Sequence, residues 1–275
     1  MRLAILFLLC LHLFSCSHRL TAPTPRLAEM PAAKYDSLYR YYDVEGCFLL
    51  YNLQRDSLFL YNPRRCRQGF LPASTFKIPN SLIALESGVL SSPADTIYWD
   101  GREAWNEGWN KDHSLASAFR VSCVPCYQQL ARKVGKDRMR YWARAMHYGR
   151  LDIKDKNIDT FWLAGHSRIT PLQQAAFLRR LYLEELPARR ENQLAVKQIM
   201  LLEEGPGYKL YGKTGWAQPD GQNIGWFVGW VETERGTFVF VNNVGNKQAP
   251  EGQNHLFQRC RQAITMEILK REGVI

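Results

Sequence analysis

Two apolar runs, Cys47 to Leu53 and Ser57 to Tyr61, are parted by Gln54-Arg55-Asp56, a polar interval of hairpin length, and together they predict a pair of antiparallel strands. From about residue 67 to 205 the pattern shifts to mainly helical spacing. There, Met139, Trp142, Ala143 and Met146 share one face of a predicted helix that Asp137 can cap and Gly149 stops. Thr170-Pro171-Leu172-Gln173 combines a capping box with proline at the first helical position and marks a further helix start. Three strand patterns follow, Tyr208 to Trp216, Asn223 to Glu232 and Thr237 to Val244, linked by turns at Pro219-Asp220-Gly221 and Glu234-Arg235-Gly236. A closing helix places Phe257, Cys260, Ile264 and Ile268 on one stripe.

A two-stranded hairpin is marginal in water, so the early pair is expected to join the late strands. The fold class is therefore α+β: a mainly antiparallel sheet of five to seven strands flanked by terminal helices, with a largely helical region inserted between early and late strands. A cleft is expected where that insertion meets the sheet. A chain of 275 residues, 46% hydrophobic, can bury such a core, and no repeat of 20 to 50 residues points to a solenoid.

The first sixteen residues read differently. Arg2 precedes the apolar run Leu3 to Phe14, too short to span a bilayer but suited to a secretory signal, so export to the periplasm is expected. Leu13-Phe14-Ser15-Cys16 resembles a bacterial lipoprotein box, which would anchor the mature chain to the outer membrane through Cys16; cleavage after Ser17 is the alternative. Residues 17–40, with Pro23, Pro25 and Pro31, read as a tether, and 41–275 as a single domain. The formal charge of +10 does not make nucleic acid a partner, because the arginines are scattered; a solvated basic surface favouring anionic ligands is expected instead. A monomer or homodimer is expected.

Cys47 and Cys66 lie on and just past the two hairpin strands, positions compatible with a bridge in an oxidising compartment. Cys123 and Cys126 have redox-motif or zinc spacing, but without a second pair or a histidine cluster a buried structural role is expected and no metal is assigned.

The chemistry begins in "PASTFKIPN", residues 72–80, where Ser74 and Lys77 stand one helical turn apart in an apolar stretch. A neutral amine beside serine can take its proton and make it a nucleophile. Ser-x-x-Lys alone occurs by chance in a chain of this length. Here it is followed in order by Ser122-Cys123-Val124, by Trp162-Leu163 in "FWLAG", and by Lys213-Thr214-Gly215 in a strand.

With those motifs together the chain resembles the class D β-lactamases, the oxacillinase type of serine β-lactamase, from about Tyr42 to its end. "PASTFKIPNSLIALESGV", "SCVPCYQQLAR", "FWLAG", "GKTGWA" and "IGWFVGWVE" carry the likeness. The resemblance implies a β-lactamase/transpeptidase-like domain that hydrolyses β-lactams. It implies Ser74 as nucleophile, amides of Ser74 and Ala217 as oxyanion hole, Ser122 as proton relay, and Lys213, Thr214 and Arg261 as carboxylate binders, with Gly215 beside them. It also implies that Lys77 takes up carbon dioxide as a carbamate, with Phe76, Ile78, Val124 and Leu163 as apolar neighbours and the Trp162 indole as donor. No other cofactor is implied. Arg150 and Ala164 depart from the family's usual residues. A penicillin-binding peptidase and a non-hydrolytic β-lactam sensor share the motifs; the single-domain length, the Trp162 context and the lack of several membrane spans argue for the hydrolase.

Overall fold

The computed structural model describes residues 26–247 and 255–275; the signal segment and Cys16 lie outside them. The chain begins with strand β1 (Arg26–Glu29), helix α1 (Ala32–Tyr41) and the hairpin β2 (Glu45–Asn52) and β3 (Ser57–Tyr61). Short α2 (Pro63–Cys66) leads into the helical region, which holds α3 (Lys77–Glu86), α4 (Leu115–Arg120), α5 (Val124–Val134), α6 (Lys136–Ala145), α7 (Pro171–Tyr182) and α8 (Arg190–Ile199). A two-residue ribbon, β4 (Thr96–Ile97) with β5 (His113–Ser114), lies within it. The chain then returns as β6 (Leu201–Gly205), β7 (Tyr208–Ala217), β8 (Gln222–Thr233) and β9 (Gly236–Lys247), and ends in α9 (His255–Arg271).

The strands form one seven-stranded sheet in the order β1-β3-β2-β9-β8-β7-β6, antiparallel except where β1 runs parallel to β3. Period-two alternation explains why its central strands read as nearly continuous apolar runs. Cys47, Leu49 and Tyr51 of β2 face the helical region, together with Trp226, Val228 and Trp230 of β8. Phe48, Leu50, Phe227 and Val231 face the opposite side, where α1 and α9 cover them with Tyr35, Tyr39, Phe257, Cys260, Ile264 and Ile268. Both faces are thereby closed to water.

Several expectations change. Residues 26–40 are not tether: Leu27 to Glu29 pair in register with Leu58 to Leu60, and Tyr35 and Tyr39 are buried under the sheet. Aromatic side chains in an otherwise polar, proline-marked stretch had hidden a helix. Asp137 does not cap α6; Gly135 takes that position at φ +79° and Asp137 sits in the first turn. A fourth late strand, β6, precedes the three expected, its apolar signal weakened because its residues are half-buried or exposed. The capping box at Thr170 is present as expected, with reciprocal bonds of 3.1 and 2.9 Å to Gln173.

Cys47 and Cys66 are neighbours but unbonded thiols, both buried; Cys66 Sγ turns to the carbonyls of Tyr61 and Phe48 at 3.6 and 3.9 Å. The bridge lies instead between Cys123 and Cys126.

Candidate active site

The loop before α3 does not run straight into the helix. Ala73 to Phe76 form one 3₁₀ turn, entered through Ala73 at φ +51°, a left-handed conformation costly for any residue with a Cβ. The entry is held from several sides. Ala73 N donates to Trp162 O at 2.8 Å, and the Trp226 indole donates to Leu71 O at 2.8 Å. Thr75 Oγ1 donates to Pro72 O at 2.6 Å and accepts from Gln174 Nε2 at 2.7 Å, and the Tyr148 hydroxyl lies 3.3 Å away. This cage fixes Ser74, half-buried, over the first residue of α3.

That residue is Lys77, fully buried, whose Nζ donates to Ser74 Oγ across 3.0 Å. Its amine also lies 5.2 Å from the centre of the Tyr127 ring. Burial first, and the charge of Lys213 second, push its pKa well below the ordinary lysine value. The same contact therefore works in reverse: a neutral amine can accept the serine proton. The expected apolar surroundings are present, since Phe76 and Ile78 are buried and Val124 and Leu163 pack against the same core.

Trp162 stacks on Phe76 with ring centres 5.5 Å apart and is fully buried. Among the described residues its indole Nε1 has no hydrogen-bond partner, and the same is true of Trp230 Nε1. An orphaned buried donor is free to bond an acceptor that the amino acids do not supply. A carbamate on Lys77 fits that requirement: it needs a dry, apolar pocket, a neutral amine and a hydrogen-bond donor.

Lys213 and Thr214 lie on β7, whose partner β6 pairs with it only over Tyr208–Tyr211. Beyond that point the outer edge of β7 faces the turn that carries Ser74. Gly215 makes this possible, though not by letting a ligand approach: a Cβ there would meet Thr75 Cγ2 at 3.2 Å, Trp226 Cδ1 at 3.2 Å and Pro72 O at 3.3 Å. The glycine admits the protein's own turn. Lys213 is 5% exposed, and burial, followed by repulsion from Arg261, lowers its pKa to about 7. Arg261 reaches from α9, across the end of the sheet, and donates Nη1 to Gly215 O at 2.7 Å. Gly225 leaves the room it needs, because a Cβ there would lie 2.9 Å from Arg261 Cδ. Ala217 ends the strand, paired with Ile224.

Ser122, half-buried at φ +55°, lies two residues before α5. Of the sequence-predicted residues, Ser74, Lys77, Lys213, Gly215 and Arg261 are linked in one cluster, while Arg150 and Ala164 are exposed; Arg150 pairs its backbone with Arg168 at 2.8 Å in both directions. The residues that sequence reasoning missed are the supports, Thr75, Tyr148, Gln174 and Trp226. Each is an isolated polar or aromatic position whose partner lies far along the chain.

Residues 37–270 match the model of the penicillin binding protein transpeptidase domain. The chain is 42% identical to "Probable beta-lactamase YbxI" of Bacillus subtilis over 85% of its length and 83% of that protein. It is also 42% identical to beta-lactamase OXA-48 of Klebsiella pneumoniae, over 84% of each. Among solved structures, the class D β-lactamase YbXI from Nostoc superposes with a TM-score of 0.80 at 39% identity, covering 86% of this chain and 97% of that one. The chain belongs to the penicillin-binding transpeptidase family and, within it, to the class D serine β-lactamases.

Proposed function

We propose that this protein is an exported enzyme that hydrolyses β-lactam antibiotics through an acyl-enzyme on Ser74. The observation that carries the reading is the contact of Ser74 Oγ, at 3.0 Å, with the Nζ of a fully buried lysine. A β-lactam enters the cleft with its carboxylate toward Lys213, Thr214 and Arg261, whose cationic and hydroxyl donors hold it by charge-assisted hydrogen bonds. Val124 and Leu163 bound the apolar wall. The lactam carbonyl sits in the hole formed by the amides of Ser74 and Ala217, where hydrogen bonds strengthen as charge develops on oxygen.

Ser74 Oγ attacks the carbonyl carbon as its proton leaves toward Lys77, and the C–N bond of the strained ring breaks. Ser122 passes a proton to the departing nitrogen. Lys77 would hold carbon dioxide as a carbamate, which would supply a carboxylate-like proton acceptor for acylation and for the water that releases the product. Trp162 Nε1 would donate to that anion, and the apolar walls keep the parent amine neutral so that it can react. Residues 1–16 would direct export.

Turnover of a penicillin panel, with and without bicarbonate, tests the reading. Hydrolysis that is lost in carbon-dioxide-free, mildly acidic buffer and returns with bicarbonate is expected. Stoichiometric acylation without turnover would instead assign the chain to the peptidase or sensor branch.

A further inference from the structure

Cys123 stands between Ser122 and Val124, and its bond to Cys126 has no part in the chemistry described above. Yet Ser122 needs an explanation of its own. A non-glycine residue at φ +55° persists only where its surroundings over-determine it. Three backbone-directed bonds contribute: Ser122 N to Phe119 O at 3.1 Å, Cys123 N to Ala118 O at 2.9 Å, and the Trp109 indole to Val121 O at 3.0 Å. All three grip the chain before α5 or enter it from α4.

The side that faces α5 is held differently. Its N-cap is Cys123, whose sulfur, 3.2 Å from Cys126 N, is a weak acceptor compared with a serine or aspartate oxygen. Pro125 in the first turn offers no N–H. The covalent bridge does there what capping hydrogen bonds do elsewhere. It is packed against a buried histidine: a ring nitrogen of His113 and the two sulfurs lie within 4.8 Å of one another. The imidazole is tied to Ser117 Oγ at 3.0 Å and Gly108 O at 2.9 Å.

We propose that the Cys123–Cys126 disulfide is a positioning element for Ser122, and that its reduction slows β-lactam acylation. The inference rests on the reading of Ser122 as proton relay. A dithiol reductant opens the bridge by exchange: the Cys123–Cys126 S–S bond breaks, the reductant's own S–S bond forms, and two electrons and two protons pass to the two cysteines. With the first turn of α5 then weakly capped, Ser122 can leave its left-handed conformation and carry its hydroxyl away from the lactam nitrogen.

The test compares pre-steady-state acylation and deacylation by a chromogenic cephalosporin, at fixed bicarbonate, in oxidised wild type, wild type reduced by a dithiol, and Ser122→Ala in both states. Thiol titration of denatured samples follows the bridge, and Cys126→Ala, which cannot form it, serves should the buried bond resist reduction. Acylation should fall by roughly ten- to a hundredfold on loss of the bridge, the effect of misplacing a catalytic group by about 1 Å. Deacylation should not change. Ser122→Ala should acylate slowly whatever its redox state, because the two changes act through one group. Equal acylation with and without the bridge, alongside a slow Ser122→Ala, overturns the positioning role and leaves the relay standing. Wild-type acylation by Ser122→Ala overturns the relay and this inference with it. A loss shared by acylation and deacylation, or one equally large in Ser122→Ala, shows general loosening and also overturns it.

Discussion

Lys77 and Lys213 are both buried, and the charge of Lys213 is, after burial, what depresses the pKa of Lys77. The influence runs one way: the charge of Lys213 makes the proton of Lys77 less welcome, while Lys213 is itself lowered by burial and by Arg261.

Stability should record this. Lys213 is lowered from 10.5 to about 7, so between those values the folded chain has released a proton that the unfolded chain still holds. The unfolded state binds more protons there, and stability from this group therefore rises with pH. Its penalty is complete below about pH 7 and gone above about 10.5. Denaturant melts from pH 7.5 to 9.5, in carbon-dioxide-free buffer, should show a slope more positive in wild type than in Lys213→Met by about one proton. Buried Cys47 and Cys260, whose raised thiol pKa values act in the opposite sense, are common to both proteins and cancel, while Lys77, relieved of the charge of Lys213 in the variant, can only widen the difference.

Trp162→Phe keeps an aromatic ring against Phe76 but removes both the unpartnered N–H and the fused second ring, so it leaves a cavity in a fully buried site. Without carbon dioxide the cost of that cavity is partly offset, because the variant no longer buries an orphaned donor worth about 1–3 kcal/mol. Bicarbonate should therefore stabilise wild type more than the variant, and in the variant acyl-enzyme should accumulate as deacylation slows. Thermal melts with and without bicarbonate, combined with burst kinetics, check both halves; a variant that loses stability equally in either buffer would make the indole a packing group only.

The contrast between these residues shows what a sequence exposes. Ser74, Lys77, Lys213 and Thr214 were legible because short spacings on a helix turn or a strand already put them in relation. The apolar runs of β2, β3, β7, β8 and β9 make the sheet legible in the same way, because each run is contiguous along the chain. Thr75, Tyr148 and Gln174 were not legible: their network joins positions 73 to 99 residues apart through single hydrogen bonds. The strand positions of Cys47 and Cys66 are compatible with a bridge, but closeness alone does not form a bond. His113 beside Cys123 escaped notice because β5, only two residues long, delivers it. Local pattern reveals the elements and the candidate reacting groups, whereas the supports depend on how distant loops are folded back.

Gly215→Ala should test whether the close approach of strand and nucleophile turn matters. The added methyl would press on Thr75 Cγ2, Trp226 Cδ1 and Pro72 O, and none of these is the free end of a flexible chain. A loss of about 1–3 kcal/mol is expected from overpacking, together with slower acylation as Ser74 is displaced. Chemical denaturation and single-turnover rates measure the two effects. Unchanged acylation in a destabilised variant would mean that the turn moves as a unit with Lys77.

Arg261 offers the sharpest separation of binding from chemistry. Its guanidinium is nearly buried, donates to Gly215 O at 2.7 Å and lowers the pKa of Lys213, yet it lies on α9, apart from the nucleophile turn. Arg261→Met retains much of the stem that fills the space left by Gly225 and removes the charge. If Arg261 holds the substrate carboxylate, a charge-assisted bond worth about 1.5–3 kcal/mol is lost. The expected result is a fall in kcat/KM of roughly ten- to a hundredfold, carried mainly by KM. Relieved of its cationic neighbour, Lys213 should also titrate higher, so the alkaline-side loss of binding should move to higher pH. A substrate whose carboxylate is esterified should bind wild type and Arg261→Met alike. Should the ester discriminate as strongly as the free acid, Arg261 serves the backbone of β7 and not the ligand.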